Sequence, residues 1–169
     1  PTDRRNRRIF RRKIHTQQRV RNVINEYRNG EGQADIASLT LPELQEYLSE
    51  LAAKSGVKIE KFRAKQIFEW LTRGVRDFDE MTNLSAKLRE VLRTDAYLTL
   101  PRVKVKLVSQ IDGTVKYLFE LADGECVESV FMRYEHGNTL CISTQVGCRM
   151  GCTFCASTLG GLVRNLQPS

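Results

Sequence analysis

The spacing of apolar residues changes near residue 100 of this 169-residue chain. Before that point apolar side chains recur every three or four residues, which predicts amphipathic helices. After Pro101 the segment RVKVKLV alternates apolar and basic residues, which predicts a half-buried strand with Val103, Val105 and Leu107 on one face. The chain is therefore predicted to be α+β, with a helical bundle followed by a small antiparallel sheet.

Three helices are predicted between residues 36 and 95. The first has Thr40 as its N-cap and Glu43 three residues later, which is a capping box, and it ends at Gly56. The second spans about 60–73, and the third follows Asn83. The apolar positions of the second and third helices are Phe62, Ile67, Trp70, Leu71, Leu84, Leu88 and Leu92. We expect these helices to share one core that includes Trp70.

Turn-forming dipeptides divide the second part of the chain into strands. They are Asp112-Gly113, Asp123-Gly124 and Gly137-Asn138. The strands between and after them are predicted at about 114–121, 125–133 and 139–145. Consecutive strands joined by short turns form an antiparallel meander, and the last one leads directly into a cysteine-rich loop.

The net charge of +7 is confined to the start of the chain. Residues 1–33 hold ten basic and three acidic residues, whereas residues 34–169 hold seventeen of each. Apolar residues at helical spacing run through this leader: Ile9, Phe10, Ile14, Val20, Val23, Ile24 and Tyr27. Two interpretations stay open. The leader is either a basic helix or arm that contacts nucleic-acid phosphates, or a solvated tail or helix packed on the next domain.

The segment QVGCRMGCTFCAS, residues 145–157, places Cys148, Cys152 and Cys155 on one loop. No run of about 20 apolar residues spans a membrane and no secretory signal is apparent, so we expect a cytoplasmic protein with reduced thiols. Structural zinc sites commonly use four ligands in two separated pairs. Three thiolates on one loop favour an iron–sulfur cluster with one iron open to another ligand.

Zinc remains the main alternative from spacing alone, with Cys126 or Cys141 as a fourth ligand. Otherwise both of these cysteines are expected to pack as small apolar side chains in the strands. Gly147 and Gly151 are expected to let the backbone curl around the metal.

The cysteine spacing, with an aromatic residue before the last cysteine, resembles the signature of radical S-adenosylmethionine (radical SAM) enzymes. The segments KFRAKQIFEWL, ECVESVFM, LCISTQVGCRMGCTFCAST and GLVRNL together resemble bacterial adenine C2-methyltransferases of large-subunit ribosomal RNA. The resemblance runs from about residue 35 to 169. A related methyltransferase that acts at C8 of the same adenine is an alternative, although the TQVGC segment is more similar to the C2 enzymes.

The resemblance implies a role for each of five residues. Cys148, Cys152 and Cys155 would hold a [4Fe–4S] cluster that binds S-adenosylmethionine, and Phe154 would pack near the adenine of that cofactor. Glu128 would help to remove the proton from the methylated adenine carbon. On a strand Glu128 shares its face with apolar residues, so we expect its pKa to rise if it is buried.

The resemblance also implies partners and a domain plan. Its substrates are 23S rRNA and, as a second class known in the family, tRNA; an electron donor such as flavodoxin would reduce the cluster. The predicted domains are a basic leader at 1–33, a helical RNA-binding-type domain at 34–97, and, at 98–169, the meander followed by the first strand and cluster loop of a partial (β/α)6 barrel. The rest of the barrel and the methyl-carrying cysteine of the family are missing, so we expect this chain alone to be inactive. The alternative function is an RNA-binding module with a zinc-stabilised cysteine loop.

Overall fold

The computed structural model describes residues 18–169 and divides into two compact units. The first unit comprises the described residues up to Leu98 together with Pro168–Ser169, and the second comprises Thr99–Gln167. Of the apolar residues expected in a leader helix, Ile9, Phe10 and Ile14 lie outside the described residues.

The first unit contains four helices. They are α1 (18–26), α2 (Leu41–Ser55), α3 (Phe62–Thr72) and α4 (Ala86–Asp95). Two short strands, β1 (Ala34–Asp35) and β2 (Ala96–Tyr97), pair in parallel and join the start of the unit to its end. Among residues 18–169, none of the helices combines the length and the apolar character that crossing a bilayer requires.

The predicted capping box of α2 is confirmed. The backbone N–H of Thr40 donates to Oε2 of Glu43 at 2.8 Å, and the Thr40 hydroxyl donates to the same oxygen at 2.7 Å. Gly56 ends the helix with a φ of +66°, a left-handed conformation that glycine adopts without the strain of a Cβ atom. The sequence therefore defines both ends of this helix locally.

The helices bury one shared apolar core. Its fully buried members include Ile24, Ile36, Leu44, Ile67, Met81 and Leu92. Because Ile24 belongs to this core, α1 packs on the helical unit and is not a free basic arm over residues 18–26. Trp70 is half-buried against the same core, and its indole Nε1 donates to Oδ1 of Asn83 at 2.8 Å. Phe62, expected among the apolar positions of its helix, is instead 54% exposed.

Asp95 carries a carboxylate into the interior of the helical unit. Tyr47, which is fully buried, donates its hydroxyl to Oδ1 of Asp95 at 3.3 Å, and the Lys54 ammonium pairs with Oδ2. Burial is the main cause that raises the pKa of Tyr47, and the adjacent Asp95 carboxylate is the second. The phenol therefore stays protonated and can donate its hydrogen bond. These two contacts compensate for the buried charge of Asp95, which would otherwise lower the stability of the fold.

The second unit contains a four-stranded antiparallel sheet in the order β3-β4-β5-β6. The strands are β3 (Arg102–Val108), β4 (Val115–Glu120), β5 (Cys126–Tyr134) and β6 (Gly137–Ile142). The predicted meander is confirmed, with turns at 112–113 and 123–124 as expected. The third turn lies at Glu135-His136 and not at the predicted Gly137-Asn138, because both of these residues pair within β6. The last strand, expected at 139–145, is divided: β6 ends at Ile142, and a separate strand β7 (Gln145–Gly147) pairs with β8 (Leu162–Asn165). The division falls at Ser143, whose hydroxyl donates to the carbonyl of Glu128 at 2.8 Å.

The expectation of a half-buried β3 is wrong in two respects. All seven residues of β3 are exposed, and the pairing register shifts between Val103 and Val105, which places these two side chains on opposite faces of the sheet. Within the described part of this unit, no residue of β3 to β6 is buried. For the same reason the predicted burial of two strand cysteines is wrong, since Cys126 is half-buried and Cys141 is exposed.

Candidate functional site

The three clustered cysteines lie on the loop that joins β7 to β8. The two strands pair antiparallel, with Gln145 opposite Asn165 and Gly147 opposite Leu162. Within Thr99–Gln167, all of which is described, Val146 of β7 is the only buried residue. The cysteine loop is therefore held at its base by a short hairpin with one apolar anchor.

Two backbone segments close the loop at its base. The N–H of Cys148 donates to the carbonyl of Gly161 at 3.0 Å. A Cβ atom at Gly147 would lie 1.9 Å from the same carbonyl oxygen, and Gly147 has a φ of +72°. Both the close approach and the left-handed backbone require glycine at this position. The glycine predicted to let the backbone curl thus acts at the closure of the loop.

Hydrogen bonds inside the loop fix the backbone of the other two cysteines. The N–H of Cys155 donates to the carbonyl of Cys152 at 3.2 Å, and the hydroxyl of Thr158 donates to the carbonyls of both, at 3.0 and 2.8 Å. The N–H of Met150 donates to Sγ of Cys148 at 3.5 Å. The donors and acceptors of these hydrogen bonds all lie within the loop itself.

The structure brings the three cysteines onto one loop but does not bring their sulfur atoms to one point. All three thiols are free; Cys148 and Cys155 are half-buried and Cys152 is exposed. Across residues 18–169, no three His, Cys, Asp or Glu side chains are grouped so that they could hold a metal ion. The donor set itself fits an iron–sulfur cluster, because residues 145–161 offer three thiols and contain no Asp, Glu or His.

Glu128 lies on β5 with its side chain 56% exposed. Its carboxylate pairs with the Lys116 ammonium of the neighbouring strand at 2.7 Å. Glu128 is therefore not buried, and the condition stated for a rise in its pKa is not met. Glu128 does not join the cysteines in a metal-binding group among the described residues.

Phe154 sits in the loop between two of the cysteines and is 92% exposed. Its ring is accessible to a planar ligand. The structure shows no protein side chain that encloses it among the described residues.

Arg164 of β8 has a partner that sequence reasoning missed. Its Nε and Nη2 both contact Oδ2 of Asp123 at 2.7 Å, which connects the cysteine hairpin to the turn between β4 and β5. The hydrogen bond from Arg164 holds the pKa of Asp123 below its usual range. The two residues are 41 positions apart, so neither periodicity nor local spacing signals their contact.

Comparison with known proteins adds the family. The family model described as "Ribosomal RNA large subunit methyltransferase N-terminal domain" matches residues 34–98. A protein named probable dual-specificity RNA methyltransferase RlmN, from Alkaliphilus oremlandii, is 57% identical over 133 residues, which cover 79% of this chain and 37% of that protein. The chain matches the N-terminal portion of the RlmN family.

Other relatives support the same assignment. The protein of the same name from Bacillus velezensis is 55% identical over 136 residues, covering 80% of this chain and 36% of that protein. The crystal structure of a radical SAM methyltransferase from Sphaerobacter thermophilus matches with a TM-score of 0.66 and 41% identity, over 78% of this chain and 37% of that one. The chain corresponds to the N-terminal portion of RlmN proteins and spans somewhat more than a third of the length of these relatives.

The closure of the cysteine loop can be tested with two glycine variants. We expect Gly147→Ala to open the hairpin, because the new Cβ would overlap the Gly161 carbonyl, and to abolish the protection of the Cys148 amide from hydrogen exchange. Gly160→Ala is the matched control: this position has no atom within 4 Å of an added Cβ and should keep that protection. Equal protection of Cys148 in both variants would contradict the described closure.

Proposed function

We propose that this chain is the N-terminal part of a radical SAM methyltransferase that methylates C2 of an adenine in 23S rRNA, with tRNA as a second substrate. The observation that carries the proposal is a single hairpin loop, closed by a glycine contact, that presents three free thiols. Relatives named as dual-specificity RNA methyltransferases support it. We assign the complete reaction to a protein of the relatives' full length.

In this proposal Cys148, Cys152 and Cys155 hold a [4Fe–4S] cluster. When bound together with S-adenosylmethionine, the cluster supplies the reductive radical chemistry that activates the methyl group, with an electron donor such as flavodoxin providing the electron. The loop contributes its fixed backbone. N–H groups that donate to sulfur, as Met150 does to Cys148, stabilise thiolates and tune the metal they hold.

The remaining two site residues have separate tasks. Phe154 packs on the adenine of S-adenosylmethionine, for which its exposed ring is available. Glu128 accepts the proton from the adenine carbon of the RNA. The ion pair with Lys116 restricts the orientation of the Glu128 carboxylate, so the lysine acts as a positioning residue.

Cluster assembly is tested by anaerobic reconstitution with iron and sulfide. We expect the chain to bind about four iron and four sulfide ions, with broad visible absorption and a paramagnetic signal on reduction. Cys152→Ala should abolish both signals, because it removes one of three ligands. Cys141→Ala removes an exposed thiol outside the loop and should leave both unchanged. A colourless protein that binds stoichiometric zinc would support the alternative of an RNA-binding module with a zinc-stabilised loop.

The role of Glu128 is tested in a full-length protein that carries this sequence. We expect Glu128→Gln to form a covalent protein–RNA species that does not resolve, because the base for the final proton removal is lost. The species should appear as a slowly migrating RNA band on a denaturing gel. Glu135→Gln, an exposed glutamate in the turn after β5, is the control and should turn over normally. Normal turnover by the Glu128 variant would exclude the residue from catalysis.

A further inference from the structure

Phe62 is the one exposed large apolar side chain in the described part of the helical unit. It is 54% exposed, whereas the other large apolar side chains described there are buried or half-buried. A helical unit that encloses the rest of its apolar surface leaves this ring in water at the first residue of α3. An exposed aromatic side chain offers an apolar face to a ligand.

A fixed cation covers part of the Phe62 ring. The guanidinium carbon of Arg63 lies 4.8 Å from the ring centroid. Nη1 of Arg63 donates to the carbonyl of Asn83 and to Oε1 of Gln66, each at 2.8 Å. These bonds hold the guanidinium in place, so the aromatic ring and the planar cation form a preorganised pair.

The segment around Phe62 is locally basic although residues 34–169 are balanced in charge. Between residues 57 and 66 there are four basic residues, Lys58, Lys61, Arg63 and Lys65, and one acidic residue. That acid, Glu60, pairs with Lys58 at 2.8 Å. Within the described residues no carboxylate lies within ion-pair distance of the other three cations. The next acidic residue in the sequence of α3 is Glu69, which is exposed.

We propose that Phe62, Lys61, Arg63 and Lys65 form a contact site for an unpaired base of RNA and its flanking phosphates. The inference rests on the proposed function and identifies where the helical unit would engage the substrate. An unpaired base stacks on an aromatic ring, and a guanidinium plane extends that platform. Lys61 and Lys65 are four residues apart, or about 6 Å along the helix axis, which suits two neighbouring phosphates.

The composition of this surface favours RNA over a lipid bilayer or an apolar protein groove. Membrane-binding helices bury a broad apolar face, whereas α3 exposes one ring among charged and polar side chains. The excess of positive charge, four basic residues against one acidic residue over 57–66, is complementary to phosphate. The Phe62 ring stays 54% exposed although the Arg63 guanidinium lies over it, so part of the ring is available to a base.

Base stacking is tested with the full chain and an RNA hairpin that has 2-aminopurine in an unpaired loop. We expect the chain to quench the fluorescent base on binding, and Phe62→Leu to weaken binding about tenfold and remove the quenching, because leucine keeps an apolar side chain but has no π face. Phe62→Tyr should restore both. Tyr134→Leu, at an aromatic residue of the second unit that is 52% exposed, is the matched control and should bind as the parent does.

The phosphate contacts are tested by the salt dependence of the same binding reaction. We expect Lys65→Gln to reduce the slope of log affinity against log salt by about 0.7, the value for one phosphate on a single strand. Lys87→Gln removes an exposed cation of α4 and should leave the slope unchanged. The melting temperature and the fluorescence of Trp70, the single tryptophan, verify that each variant is folded.

Three results would overturn the proposal. They are absence of RNA binding by the parent chain, equal affinity of the parent and Phe62→Leu, and preferential binding to phosphatidylcholine–phosphatidylserine vesicles that Phe62→Leu retains. None of these results affects cluster assembly on the cysteine loop, which is read out by iron content. Failure of this inference and failure of the proposed function are therefore distinguishable.

Discussion

The contact between the Gly147 and Gly161 backbones determines the geometry of the cysteine loop. The separation leaves no room for a Cβ atom, and the adjacent N–H of Cys148 donates to the same carbonyl. A loop of fourteen residues closed at this point carries all three thiols, although the closure itself contains no sulfur. The proposed cluster site therefore requires this backbone contact in addition to its cysteine side chains.

The two units obtain their order from different sources. The helical unit has a buried apolar core and a satisfied internal carboxylate, so burial stabilises it. In the second unit the four-stranded sheet has no buried residue, so its order comes from the hydrogen bonds between its strands. Val146 is the single buried residue of the adjoining hairpin. Side chains of the sheet are exposed or half-buried in this structure, and Glu128 is among the exposed ones.

Local signals in the sequence account for much of the fold. The capping box at Thr40, the glycine at 56 and the turn dipeptides at 112–113 and 123–124 each act within a few residues, and the structure bears them out. The third turn precedes its predicted dipeptide by two residues. Burial across the sheet was predicted wrongly, because the alternation in β3 says which residues share a face but not whether anything covers that face, and a register shift exchanges the faces. The Arg164–Asp123 contact was not predictable, because it depends on how distant segments meet.

The cysteine spacing identified the loop, but among residues 18–169 the structure does not group its three thiols as metal ligands. The central claim is that three cysteines hold iron and leave one iron open. Mössbauer spectroscopy of the chain reconstituted with ⁵⁷Fe tests it most directly. We expect four irons, of which one changes its spectrum when S-adenosylmethionine is added. Four equivalent irons that do not respond to S-adenosylmethionine, or no bound iron, would contradict it.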